Sequence, residues 1–466
     1  MIKNLKRTGK GSIKVKEMQN KLAKQFTVWS LLRFALPTIV MMLFMSFYTM
    51  IDGIFVSNIL GTDALSAVNL VYPAISVVVA LGVMLATGGS AVIAKKMGEG
   101  KPAEARQDFT LIVSVGVFIG LLLVLLGGLF LPQMLRFLGA SGEIYALCYA
   151  YAKPYIWFIP SAVLQMLFQT FFVTAGRPAV GLTVTVLGGI ANIVLDYVFI
   201  GVFGWGMAGA AVATGIGYSV PALFGLAWFA VSRRGTLYFV RPVWRGKVLL
   251  KALGNGSSEM VTYLSEAVVT FLFNMTMLRY LGADGVAAVT IVLYTDALLV
   301  GMYLGYGIGV APVLSYNYGQ GDRAQLVRLF KISLWFLGIC SLVTLAGGLL
   351  FTRQLVGVFA SDGTAVFDLA VFGFSLYSIC FMFKGTNIFA SALFTALSDG
   401  KTSAILSFLR TFVFIAAGIL LLPLWLGVNG VWLAVPFAET VSIFLSVYCF
   451  RTNFFSRIRS LETNRE

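Results

Sequence analysis

Twelve long apolar stretches run along the chain, separated by short clusters of charge, glycine and proline. They lie near 31–57, 66–94, 109–131, 144–175, 179–203 and 207–231, then near 252–278, 285–315, 332–351, 366–397, 402–424 and 430–450. A helix rises about 1.5 Å per residue, so about 20 apolar residues cross the roughly 30 Å hydrocarbon core of a bilayer. Each stretch reaches that length, and several leave room for tilt. The pattern predicts an all-α polytopic membrane protein of twelve transmembrane helices.

The stretches repeat as a set. Leu60-Gly61-Thr62-Asp63-Ala64 recurs as Leu281-Gly282-Ala283-Asp284-Gly285 at an offset of 221, and the same offset carries Gly98, Gly100, Gly142, Gly206 and Gly209 onto Gly319, Gly321, Gly363, Gly427 and Gly430. Six helices per repeat is an even number, so both halves enter the membrane from the same side. The pseudo-twofold axis relating the two six-helix bundles then runs along the membrane normal, with room for a ligand between them. The expected divisions are a basic N-terminal segment 1–30, an N-lobe 31–231, a linker 232–251, a C-lobe 252–450 and a tail 451–466.

Composition agrees with the spans: 59% of the 466 residues are hydrophobic and 11% are charged. The net charge of +15 is explained by its distribution. About 27 Lys and Arg fall in the termini and even-numbered loops against about 3 in the odd-numbered loops, a positive-inside bias that predicts a cytoplasmic-membrane protein with both termini cytoplasmic. The head from Lys3 to Lys24 reads as an orienting, lipid-attracted segment, and the apolar stretch after it is too long for a cleaved signal. In the linker, Arg233, Arg234, Arg241, Arg245, Lys247 and Lys251 stand without an acid. No nucleic-acid partner is expected, and the chain is expected to act as a monomer among lipids. Cys148, Cys340, Cys380 and Cys449 have no metal-ligand spacing. The chain has no histidine, so intramembrane proton chemistry falls to carboxylates. With no nucleophile and base motif and no metal-ligand pattern, neither an enzyme nor a cofactor is expected.

A carboxylate within a span is costly unless it is paired, neutralised or wet, which makes each one a functional candidate. Asp52, Asp196, Glu259, Glu266, Asp296 and Glu439 qualify. Asn192 and Asp196 lie four apart, on one helical face. With Asp52 on helix 1, and Thr214 one turn beyond Ala210 on helix 6, they form a first constellation, in which neighbouring carboxylates repel and a proton or a small cation neutralises the pair. The alternative is that both acids sit at helix ends in water. The repeat argues against it: the equivalents of Asp52, Asn192 and Asp196 are Phe273, Val413 and Ala417, so the cluster is special to the first half. Pro37 removes a backbone hydrogen bond from helix 1, either as a hinge or as a static kink. A second constellation is Glu259 and Glu266 on helix 7 with Lys384 on helix 10. It reads either as a Glu266–Lys384 ion pair or as an unpaired glutamate that attracts a cationic ligand. Asp296 and Glu439 are secondary, expected to bond between helices of the second half. Met41, Met45 and Tyr48 on helix 1, with Gln165 and Gln169 on helix 4, are candidates for lining a central cavity.

Gly176-Arg177-Pro178, then Asn192-Ile193-Val194-Leu195-Asp196-Tyr197, then Gly204-Trp205-Gly206-Met207-Ala208-Gly209, together with Met50-Ile51-Asp52-Gly53-Ile54-Phe55 on helix 1, resemble the multidrug and toxic compound extrusion (MATE) family over essentially the whole chain. The resemblance implies a V-shaped pair of rocking bundles that exports amphipathic, often cationic compounds in exchange for protons or sodium ions. It implies that Asp52, Asn192, Asp196 and Thr214, with the backbone at Ala210, form the N-lobe coupling site, where a sodium ion could bind, and that Pro37 is the bending point of helix 1. Glu266 looks like the helix-7 acid of the sodium-coupled branch. Where that branch has a carboxylate on helix 10, this chain has Lys384, which moves the expected coupling to the N-lobe. A flippase for lipid-linked saccharides, of related architecture, is the alternative. It would need free bases in the central cavity, for which Lys384, Arg33, Lys153 and Arg410 are the candidates.

Overall fold

A computed structural model describes residues 21–233 and 235–463. Most of the basic head, Arg234 of the linker and the last three residues of the tail lie outside them. The described residues form helices and no strand. Ten helices are long and apolar enough to span a membrane, and an eleventh span is a pair, Gly142–Ile156 and Ile159–Thr174, bent by 60°. The longest helix, of 75 residues, is broken at Gly282, where φ is 66° and ψ is −150°, and this divides it into two spans. The twelve helices are therefore α1 Val28–Leu60, α2 Thr62–Gly98, α3 Pro102–Phe137, the bent pair α4, α5 Pro178–Val202, α6 Gly206–Val231, α7 246–281, α8 283–320, α9 Arg323–Leu350, α10 Ala365–Ala396, α11 Gly400–Leu426 and α12 Ala434–Leu461. The helices overrun the apolar stretches, because a backbone helix continues past the point where its side chains turn polar. α9 and α12 differ most, beginning at 323 rather than 332 and ending at 461 rather than 450, while α7 and α8 have one residue between them.

The shared glycines mark shared turns. Gly61 and Gly282 have φ of 92° and 66°, and Gly142 and Gly363 have 53° and 84°, all in the region that a Cβ disfavours. Another pair marks where the halves touch. A Cβ on Gly98 would overlap the carbonyl oxygen of Tyr316, and one on Gly319 would overlap that of Lys95. Residues 95 and 316 are themselves related by the offset of 221, so this contact straddles the pseudo-twofold axis. Further along, Gly88 lies against the Ala252 carbonyl, Gly256 against that of Met84, and Gly305 and Gly309 against the backbone of α1 at Ile39 and Ala35. All these contacts lie in the halves of α1, α2, α7 and α8 nearest residues 232–245. Near mid-helix, Ser46 Oγ donates to the Ala297 carbonyl at 3.3 Å. The lobes are closed on the linker side by backbone-to-backbone packing that only small residues permit.

The linker itself is docked on the first lobe. Phe239 stacks on Phe109 at 5.2 Å, Leu237 is buried, Val240 N donates to Thr110 Oγ1 at 3.1 Å and Arg106 Nε donates to the Thr236 carbonyl at 3.1 Å. Arg245, at its end, finds acids at the start of α3. Arg245 reaches Gln107 at 2.7 Å and Glu104 at 3.2 Å, while Lys96 pairs with Glu104 and the buried Asp108.

The glycine seam makes a steric prediction. Gly256→Val or Gly319→Val should separate the lobes on this side, at a cost of about 1–3 kcal/mol for overpacking. Spin labels at Ala103→Cys and Ala324→Cys, both exposed and related by the repeat, should then report a longer distance. The four native cysteines are buried, away from the labelling reagent. Gly338→Val, with open space where its Cβ would lie, should leave the distance unchanged.

Candidate functional site

The first-lobe constellation is assembled by close approach of α5 and α6. A Cβ on Gly188 would press on the Gly217 carbonyl and one on Gly217 on the side chain of Asn192, so these glycines let the polar face of α5 lie against α6. Asp196 is the last residue before a π-helical turn, Tyr197–Val202, and is fully buried. Asn192 Nδ2 donates to Asp196 Oδ2 at 3.0 Å. The half-buried Asp52, from α1, brings its carboxyl group within hydrogen-bonding reach of Asp196. One oxygen each of Asp52, Asp196 and Asn192 is buried without a partner, and no lysine or arginine among the described residues pairs with either acid. Thr214 Oγ1 donates to the Ala210 carbonyl of its own helix at 3.0 Å and meets Tyr151.

Four tyrosines enclose the pair. Tyr48 comes from α1, Tyr151 and Tyr155 from the first arm of α4 and Tyr218 from α6, and Tyr218 contacts both Tyr48 and Tyr155. Ring centroids are 5.9 Å apart for Tyr151 and Tyr155 and 6.5 Å for Tyr155 and Tyr218. Tyr48, expected in a central cavity, thus belongs to the acid cluster. Two carboxylates in reach of each other with three orphaned oxygens can share a bridging proton or ligate one hard monovalent cation, for which oxygen donors are suited. Tyr151, Tyr155 and Tyr218 escaped the sequence reading, although a signal was there: Tyr151 and Tyr155 are one turn apart, and Tyr218 is one turn beyond Thr214.

Met41 and Gln165 are buried at 1% and 3% exposure, in packed protein rather than against open space. Gln169 Nε2 donates to Met45 Sδ at 2.8 Å, which joins α4 to α1. Pro37 lies within a continuous helix, between the points where Gly309 and Gly305 of α8 press on Ala35 and Ile39.

Of the two readings of the second constellation, the Glu266–Lys384 pair does not form. Lys384 Nζ bonds both oxygens of Asp296, at 2.7 and 2.8 Å, joining α10 to α8. Arg410 Nη1 reaches Glu439 Oε1 at 3.0 Å, and Asn387 Nδ2 donates to Glu439 Oε2 at 2.7 Å. The two secondary acids therefore take both buried bases, because α8 and α12 present Asp296 and Glu439 to them at direct contact. Glu259 and Glu266 are left without a hydrogen bond or ion pair among the described residues. Glu266 is exposed, within electrostatic range of Tyr72 on α2, and so faces the space between the lobes. Glu259, two turns nearer the linker side, lines a cavity of about 40 Å³ with Thr87, Ser90 and Thr170 of the first lobe and Thr395 of the second. That volume holds one or two water-sized groups, whereas a drug-sized ligand needs about 300 Å³ or more.

The MatE family model matches this chain twice, over residues 37–198 and 260–420, once in each half. The chain belongs to the MATE family. It is 22% identical over 437 residues to the multidrug export protein MepA of Staphylococcus saprophyticus, covering 90% of this chain and 93% of that one. In structure it is similar to a MATE protein crystallised in complex with MaL6, with a TM-score of 0.88 at 22% identity over 96% of this chain and 99% of that one. An outward-facing multidrug resistance MATE transporter gives 0.87 at 23% identity, over 94% and 97%. The MATE chain is thus a polytopic membrane transporter with the two-lobed fold of twelve helices, and not an enzyme.

The buried ion pairs of this MATE protein make a stability prediction. Asp296→Asn should strand the Lys384 charge and cost about 3–5 kcal/mol, and adding Lys384→Met should recover most of the loss. Thermal unfolding of the two single variants and the double variant in detergent measures the coupling.

Proposed function

We propose that this MATE transporter exports amphipathic, often cationic compounds by antiport with protons or sodium ions, with Asp52, Asn192 and Asp196 as the coupling site. Thr214 and the Ala210 carbonyl border that site. The observation that carries the reading is the enclosed Asp52–Asp196 pair with its orphaned oxygens and no matching base. Two acids held together without a counter-charge require an exchangeable one, and an exchangeable cation is what antiport consumes. A proton or sodium ion returning down a tenfold gradient supplies about 1.4 kcal/mol, enough for a tenfold accumulation of substrate on the far side.

In this reading the seam of glycines is the inner gate and the linker side is cytoplasmic, in keeping with the positive-inside bias. The lobes rock about that seam, and cation binding at Asp52 changes how α1 bends at Pro37. Glu266, unpaired in the space between the lobes, attracts the cationic end of the substrate. The flippase reading finds less support. Lys384 and Arg410 are engaged by Asp296 and Glu439, and Arg33 and Lys153 are exposed rather than gathered in one cavity.

The test is efflux of an ethidium-like dye from loaded vesicles without ATP, under an imposed proton gradient and then a sodium gradient. Asp52→Asn or Asp196→Asn should lower driven efflux at least about tenfold while the protein remains inserted. Unchanged efflux in both variants would overturn the assignment, and activity with neither gradient would overturn secondary transport.

A further inference from the structure

We propose that Glu259 is a second monovalent-cation site, built from both lobes at their seam, that takes up a proton or a sodium ion when the linker side closes and gives it back to that side when it opens. The reading above assigns the coupling ion to the first lobe. This inference adds a separate site and depends on that reading only in that the lobes part on the linker side.

Geometry is the first argument. Glu259 follows Gly256 by three residues on α7, so its side chain stands one turn above the point where the α7 backbone touches Met84. The cavity it lines is bordered by Thr87 and Ser90 of α2, Thr170 of α4, Gly307 and Ala311 of α8, and Thr395 of α10. Both lobes contribute to it. When the linker side parts, α2 leaves α7 and this lining is divided.

Charge is the second argument. The charged and titratable groups that face Glu259 are few. Arg410, from α11, is the one opposite charge in range, and it is bonded to Glu439; Glu266 and Tyr263 lie on its own helix. α2, α4, α8 and α10 bring hydroxyl and apolar groups to the cavity and no titratable one. A half-buried carboxylate between two lobes without its own base attracts a cation.

The third argument is the chemistry of the lining. Thr87 gives its hydroxyl hydrogen to the Val83 carbonyl at 2.8 Å, Ser90 shares one with Thr174 at 2.7 Å, and Thr395 bonds Ser403 at 2.8 Å and Ser258 at 3.2 Å. Hydroxyls whose hydrogens are committed elsewhere keep lone pairs for a cation. The cavity of about 40 Å³ suits a protonated carboxyl with one water or a bare alkali ion, and excludes an organic cation.

Because one cation is taken up per closure, linkage sets the size of the effect. The ratio of closed to open forms should change by up to about tenfold for each tenfold change in cation activity.

The experiment measures the Ala103→Cys to Ala324→Cys spin-label distance in nanodiscs, in an Asp52→Asn, Asp196→Asn background that silences the first-lobe site. We expect the closed fraction to fall as pH rises from 5.5 to 8.5 in choline buffer. Restoration of closure at pH 8.5 by sodium would identify sodium as a ligand of the site, and no restoration would identify the proton alone. Glu259→Gln should abolish both dependences, and Glu259→Asp should keep a dependence with a displaced midpoint. An unchanged pH and sodium response in Glu259→Gln, or no response in the parent, would overturn the proposal. Since the readout is a distance rather than dye efflux, failure of the exporter reading and failure of this one are separable.

Discussion

Two bases, Lys384 and Arg410, lie buried among six acids placed within the spans, and the allocation of those bases fixes the role left to each acid. Asp296 and Glu439 hold them in direct contact, so α8, α10, α11 and α12 are tied into one body by charge as well as by packing. Removing water from a charge costs several kcal/mol, so such ties hold while both partners are present and fail sharply when one is lost. The four acids left over are divided by place. Asp52 and Asp196 share an enclosure of tyrosines within the first lobe, Glu266 faces the space between the lobes, and Glu259 lies half-buried beside the seam. The duplication supplied two similar bundles, and unequal placement of charge made them different.

Packing at the seam follows a separate rule. Where α2 meets α7 and α8, and α1 meets α8, glycines bring backbone to backbone, and beside them Lys95 of α2 lies over the Tyr318 ring of α8 at 4.9 Å. Such a contact is tight and shallow. A single Cβ at Gly88, Gly98, Gly256 or Gly319 would press on the facing carbonyl.

Much of this was legible in the sequence. Spans announced themselves by length and hydropathy, and the glycines preserved at the offset of 221 proved to be turns of positive φ and, at Gly98 and Gly319, a reciprocal contact about the axis. The Asn192–Asp196 contact followed from a spacing of four on a helix. Partnerships across helices did not follow. Nothing along the chain distinguishes Asp296 from Glu266 as the mate of Lys384, because 88 positions separate Lys384 from Asp296 and only the docking of α10 on α8 chooses between them. Met41 and Gln165 had the character of a cavity lining, but which face of α1 or α4 is covered is settled by neighbours, not by periodicity. Glu259 and Glu266 share a helical face and were read together. Their environments differ because the lobes touch beside one and part beside the other.

The docked linker has a mechanical consequence. Residues 236–245 are fastened to the first lobe by the Phe239–Phe109 stack, by Thr110 and by the charges at the start of α3, so the stretch that joins the lobes is not slack tether. Free chain between the lobes is confined to the point where Arg245 enters α7. The covalent connection therefore behaves as a short lever fixed at one end. Arg245 marks both the end of that docking, at Gln107 and Glu104, and the start of the second lobe's first helix.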